Sequence, residues 1–166
     1  AAFKFKALME REQLFYFLCL SVKKPKSISR QAIKEAPVKA KILVVEDEKL
    51  ICWSLQKDLE REGYEVATAQ MAAEGLRLFE ANGFDAILLD IRLPDGDGKE
   101  VLKRMRSKDP FCVVIVITAN DDIRTAVECM REGAFNYLHK PFDFQEVKLN
   151  IEKGLEARRL QQRVAE

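Results

Sequence analysis

Short runs that are apolar at every position alternate along the chain with stretches whose apolar residues recur every three or four positions. The runs Ile42-Leu43-Val44-Val45, Ala86-Ile87-Leu88-Leu89 and Cys112-Val113-Val114-Ile115-Val116-Ile117 have the pattern of strands buried on both faces. Two further strands are predicted at 64–69, where apolar and polar residues alternate, and at 134–139. Helical spacing predicts five helices between and after them. The first, 48–62, carries Ile51, Leu55, Asp58 and Leu59 on one face; the second, 71–82, runs through Ala72, Leu76 and Phe79. The third, 98–107, points Val101, Leu102 and Met105 inward, and the fourth, 121–132, has Ile123, Ala126, Val127 and Met130 as its apolar face. The fifth starts near Phe144, with Val147, Ile151 and Leu155 inward and Asp143 as its cap.

Five strand-helix pairs in strict alternation predict an α/β domain with a parallel sheet covered on both faces. Right-handed crossovers and a unit of this length favour a flavodoxin-like, doubly wound (βα)5 arrangement with the five-stranded sheet in the order 2-1-3-4-5. Its switch point falls between strands one and three. Residues 1–40 stand apart from this grammar as an N-terminal helical appendage. Phe3, Phe5, Leu8, Leu14, Phe15, Phe17, Leu18 and Leu20 spread around most of a helix that would need cover on several sides, and a Lys/Arg-rich linker with two prolines follows. An upstream fragment, a cloning remnant, and a docking or dimerising helix are all compatible with it. The compact domain then spans 41–157, and 158–166 extend the last helix or begin a linker.

Composition narrows the function classes. Lys+Arg 28 against Asp+Glu 27 leaves a net charge of +1, without the basic footprint of a chain that binds nucleic acid directly. The apolar run Leu14-Phe15-Tyr16-Phe17-Leu18-Cys19-Leu20 is far shorter than the ~20 residues of a membrane span. It is followed by Ser21-Val22-Lys23-Lys24-Pro25 and not by a small-residue cleavage site. Cysteines at 19, 52, 112 and 129 lack C-x-x-C spacing, and the single His139 leaves too few partners for a zinc site. Reduced thiols in a cytoplasmic protein are expected.

The chemistry gathers at the carboxyl ends of the strands, where open α/β sheets bind ligands. Strand one ends in Glu46-Asp47, strand three in Asp90, strand four in Thr118, and strand five in Lys140. Three crowded carboxylates repel one another, and a hard divalent cation with oxygen ligands relieves that repulsion, Mg2+ fitting better than zinc. A hydroxyl and an ammonium opposite suit phosphoryl oxygens, so the set reads as a phosphoryl-transfer centre with Asp90 as nucleophile. Singly, each residue has a plainer reading, since a strand-terminal Asp caps helices and Lys-Pro marks a turn. Their shared edge is what favours the site.

With Glu46-Asp47, Leu-Leu-Asp90-Ile-Arg-Leu-Pro-Asp-Gly-Asp-Gly, Thr118-Ala119 and Tyr137-Leu-His-Lys140-Pro-Phe in place, the stretch from Lys41 to about Ala157 resembles a response-regulator receiver domain. The resemblance implies that a sensor histidine kinase phosphorylates Asp90. It implies that Asp47 and Asp90 ligate Mg2+ directly, Glu46 through water, and Arg92 through its backbone carbonyl. Thr118 would hydrogen-bond the phosphoryl group and Lys140 would pair with it. Thr118 and Tyr137 would form the switch that alters the face made by the fourth helix, fifth strand and fifth helix. A cis Lys140-Pro141 bond is implied as well.

Two features bear on tuning: the acidic pair is Glu-Asp where many members have Asp-Asp, and by the resemblance Arg92 and Asn120 would flank the path of an attacking water. Trp53-Ser54-Leu55 and the Glu-Ala-Arg-Arg-Leu end resemble receivers of sigma-54-dependent transcription activators, in which an ATPase and a DNA-binding domain would follow. A homodimer through the switch face, or through a weak seam of Ile151, Leu155, Arg158 and Gln162, is compatible with this reading.

Two other classes share parts of this pattern. A haloacid-dehalogenase-like phosphatase also uses an Asp nucleophile, Mg2+ and a Lys, but needs D-x-D on the first strand. A pseudo-receiver that only binds partners would have no need of the complete acidic pocket. Asp95-Gly96-Asp97-Gly98 does not continue as a calcium loop, because the twelfth position counted from Asp95 is Arg106.

Overall fold

The computed structural model describes residues 39–119 and 123–165. The expected helix and linker over 1–38, with Cys19, and the flanking residue Asn120 lie outside the described residues. Strands β1 (Lys41–Val45), β2 (Glu65–Ala69), β3 (Ala86–Asp90), β4 (Val113–Thr118) and β5 (Asn136–His139) alternate with helices. These are α1 (Lys49–Arg61), α2 (Ala72–Asn82), α3 (Gly98–Lys108), α4 (Ile123–Arg131) and α5 (Phe144–Ala165). Every strand pairing in the main sheet is parallel, and the order is β2-β1-β3-β4-β5.

Alternation along the strands divides the core in two, because successive side chains leave opposite faces of the sheet. Leu43, Val45, Ile87, Leu89, Val114 and Val116 pack with Phe79 of α2, Leu102 and Met105 of α3 and Cys129 of α4. Ile42, Val44, Leu88, Ile115 and Ile117 pack with Leu55 and Leu59 of α1 and Val147 and Ile151 of α5. Sheet and helices thus make three layers. Gly63, Gly83 and Gly133 carry positive φ where α1, α2 and α4 stop, as the sequence predicts.

The fourth helix differs from expectation. From Arg124 onward Ala126 and Cys129 are its buried residues, while Val127 and Met130 are 43% and 42% exposed. The helix packs at the edge of the sheet against β5, a strand of four residues, so a narrow stripe meets the core. A period-3.6 pattern reports which residues share a face but not how wide a neighbour that face will find. On α1 the buried row is Cys52, Leu55 and Leu59; Ile51 and Asp58 are half-buried. β2 is an edge strand and does not alternate cleanly, with Ala69 its fully buried residue.

The loop after Asp90 is ordered by local pairing. Arg92–Leu93 pairs antiparallel with Gly96–Asp97 in a two-residue hairpin. Its turn presents Asp95, whose carboxylate accepts from the backbone amides of Ala72 at 2.7 Å and Ala73 at 3.0 Å. Met71, which precedes α2, supplies no side-chain cap, so Asp95 satisfies the orphan donors from across the structure. The amides of Ala73 and Ala72 hold the Asp95 carboxyl below the usual carboxylate range. A depressed folded-state pKa gives stability that is complete above the unfolded value of ~3.9 and lost as pH falls through the folded one. Asp95→Ala is therefore expected to lower the thermal midpoint at pH near 7. The gap from wild type should close as pH falls below the folded pKa, which differential scanning calorimetry across that range checks.

Candidate functional site

Each strand end contributes to one pocket because the strands run parallel and their carboxyl ends share an edge. Glu46 follows β1 and is fully buried, its amide donating to the Ala69 carbonyl at 3.0 Å. Asp90 is the last residue of β3 and is buried, with Oδ1 accepting from the Arg92 amide at 2.8 Å. Thr118 is the last residue of β4 and is also buried. Lys140 follows β5, and its amide donates to the Thr118 carbonyl at 2.8 Å. The Lys140-Pro141 bond is cis.

The Lys140 ammonium is the hub. Nζ donates to Asp90 Oδ2 at 2.8 Å, to Glu46 Oε1 at 2.9 Å and to Glu48 Oε1 at 2.9 Å. Burial works to lower the Lys140 pKa, but the hydrogen bonds to Asp90, Glu46 and Glu48 outweigh it and hold the group above its ordinary value. Burial pushes Glu46 up to about 7, with the Asp90 charge adding to the rise while the Lys140 hydrogen bond opposes it. Among the described residues, Glu46 Oε2 is a buried side-chain oxygen without a hydrogen-bond partner.

Oxygens of Glu46, Asp47 and Asp90 lie within 4.8 Å of one another. A buried, unsatisfied carboxylate oxygen next to two more carboxylates fits a hard cation, since desolvated acids need a positive charge or a donor. Of the predicted residues, then, the fold collects Glu46, Asp47, Asp90, Thr118 and Lys140 at one edge. Arg92 lies two residues beyond Asp90 and is tied to it through its amide. Tyr137, in β5, is 46% exposed and sits outside the acidic pocket's hydrogen bonds.

Glu48 escaped the sequence reading. It sits 92 residues from Lys140, and an acid opening a helix reads as a favourable dipole partner. The signal available was the third acid in Glu46-Asp47-Glu48. Beside Lys140 a groove of 480 Å3 is lined by Ile51, Leu55, Pro141, Phe142 and Phe144 together with Glu48. Cys52, Cys112 and Cys129 are free and buried, and burial pushes the Cys112 thiol up to about 12. Among the described residues no helix is long and apolar enough to cross a membrane.

Known proteins resemble this chain in sequence and fold. The alginate biosynthesis transcriptional regulatory protein AlgB of Pseudomonas putida is 40% identical over 124 residues, 75% of this chain and 28% of that protein. A response regulator receiver domain protein (CheY-like) from Methanospirillum hungatei superposes with a TM-score of 0.71 at 33% identity, covering 73% of this chain and 97% of that one. The beryllofluoride-activated NtrC4 receiver domain dimer gives 0.68 at 37% identity, covering 71% and 98%. The chain spans little more than a quarter of the length of the first curated relative. The sequence pattern of the response regulator receiver domain matches residues 42–152, from the second residue of β1 to the middle of α5. A parallel sheet in this order, acids at the ends of its two central strands, and a match over most of the chain lead to one assignment: the chain belongs to the response regulator receiver domain family.

Proposed function

We propose that Asp90 is the phospho-acceptor of a two-component response regulator, taking its phosphoryl group from a sensor histidine kinase. The observation that carries this is the buried Asp90 carboxylate held by Lys140 beside a carboxylate oxygen of Glu46 that has no donor among the described residues. Receiver domains bind Mg2+ at an acidic pocket, and such a pocket is present here. In our reading Asp47 and Asp90 hold the ion directly, Glu46 through water, and the Arg92 carbonyl completes the protein's share.

Mg2+, when bound, neutralises charge that builds on the phosphoryl oxygens. An Asp90 oxygen forms the O–P bond as the P–N bond of the donor phosphohistidine breaks and its imidazole leaves. Lys140 and Thr118 receive the transferred oxygens, one with an ammonium and the other with a hydroxyl. The apolar groove next to Lys140 offers the donor protein a surface beside the acceptor. Incubation with acetyl phosphate should give Mg2+-dependent, acid-stable and base-labile label on the protein; label that is indifferent to EDTA would overturn the reading.

Movement of Thr118 and Tyr137 then alters the α4-β5-α5 face. Val127, Met130 and Tyr137 already lie exposed on its elements, which supports a partner there, and Leu160 and Val164 are exposed along the end of α5. Receiver domains often dimerise, and a second copy at this face or along the α5 extension is the partner we propose. Sedimentation velocity should show a heavier species on adding beryllofluoride with Mg2+, and an unchanged distribution would remove dimer control from the proposal. The effector is proposed to be a transcription activator of the sigma-54-dependent class, acting in the cytoplasm through domains beyond residues 41–157. With the family assigned, the phosphatase alternative has no support, since the candidate nucleophile ends the third strand and not the first.

A further inference from the structure

We propose that Glu48 is a positioning residue for Lys140, holding one ammonium hydrogen in the unphosphorylated protein and yielding its place to a phosphoryl oxygen on Asp90. The inference rests on the reading of Asp90 as the acceptor. An ammonium has three N–H donors. Lys140 Nζ meets three carboxylates, at 2.8 Å on Asp90 and 2.9 Å on both Glu46 and Glu48, so its donors are fully engaged. A new oxygen can be bonded only if one of these partners lets go.

The three are unequal. Glu46 is fully buried, so bulk water has no access to take the place of Lys140 on it. Asp90 is buried and carries the incoming group, which keeps the ammonium close to it. The Glu48 side chain is 58% exposed, so water can replace Lys140 there at little cost. The Glu48 amide meanwhile donates to Glu46 Oε1 at 3.2 Å, which keeps the segment in place while the side chain changes partner. The Glu48 side chain makes no capping hydrogen bond to α1, so replacing it removes no helix cap.

A rival arrangement, in which Lys140 gives up Asp90 Oδ2 and keeps Glu48, makes the opposite prediction, because Glu48 would then support the bound state. Beryllofluoride, which mimics the phosphoryl group on a carboxylate, separates the two when titrated by 19F NMR at saturating Mg2+. Glu48→Ala should tighten binding about fivefold and Glu48→Gln, which keeps an acceptor oxygen, about twofold, with circular dichroism spectra unchanged. Unchanged or weaker binding by Glu48→Ala overturns the proposal. So does equal tightening by Ala and Gln, which would mark the loss of negative charge alone and not of the hydrogen bond. Failure of the wild-type protein to bind beryllofluoride would instead overturn the acceptor reading of Asp90.

Discussion

Asp90→Asn is expected to reduce Mg2+-dependent labelling by acetyl phosphate to background while the protein stays folded. The substitution keeps the size of the side chain and an oxygen able to accept from the Arg92 amide, now at 2.8 Å from Oδ1. It removes the charge that makes the group a nucleophile and a metal ligand. It also puts an amide N–H₂ where Lys140 Nζ now finds an acceptor at 2.8 Å, leaving the ammonium with Glu46 and Glu48. Circular dichroism distinguishes loss of chemistry from loss of fold. Wild-type levels of acid-stable, base-labile label in the variant would place the acceptor elsewhere.

Gly98→Ala is expected to destabilise the domain by about 3 kcal/mol, near the upper end for overpacking, or about 10 °C in thermal midpoint. A Cβ at residue 98 would clash with the Asp90 carbonyl oxygen and lie 2.7 Å from Ile91 Cα and 3.1 Å from the Asp90 carbonyl carbon. All three are backbone atoms, and none can swing aside as a side chain could. Relief requires moving the first turn of α3, whose Gly98 amide donates to the Ile91 carbonyl at 2.8 Å, or moving the strand end that carries Asp90. Labelling of Asp90 should therefore slow in the fraction that folds. Gly96→Ala is the control two residues away, where the nearest atom is Ala72 Cβ at 3.5 Å, an ordinary contact. Its midpoint should match wild type within about 0.5 kcal/mol, the usual range for an unconstrained surface position. Similar losses in both variants would show that the loop, and not the close approach at Gly98, sets the cost.

The difference between these glycines was not visible in the sequence, where both stand in one Pro/Gly/Asp-rich turn. The same holds for Asp95. As a sequence element it marks a turn, whereas its carboxylate reaches the amides that open α2. Val127 and Met130 show a different limit: their spacing gave the right period, but their exposure depends on α4 lying at the edge of the sheet against a four-residue strand. Tyr137 and the ligand role of Arg92 came from resemblance alone, since neither residue type nor spacing singles them out.

By itself the sequence determined the elements, their parallel order, and the convergence of Glu46, Asp47, Asp90, Thr118 and Lys140, because each follows from local periodicity and from the rule that parallel strands share a carboxyl edge. Tertiary structure decided who pairs with whom inside that edge. Hydrogen bonds and close contacts act over about 3 Å and take no account of separation along the chain. Only the folded backbone could therefore bring Glu48 to Lys140, bury Glu46 beside Asp90, and close the space at Gly98 against the strand that carries Asp90.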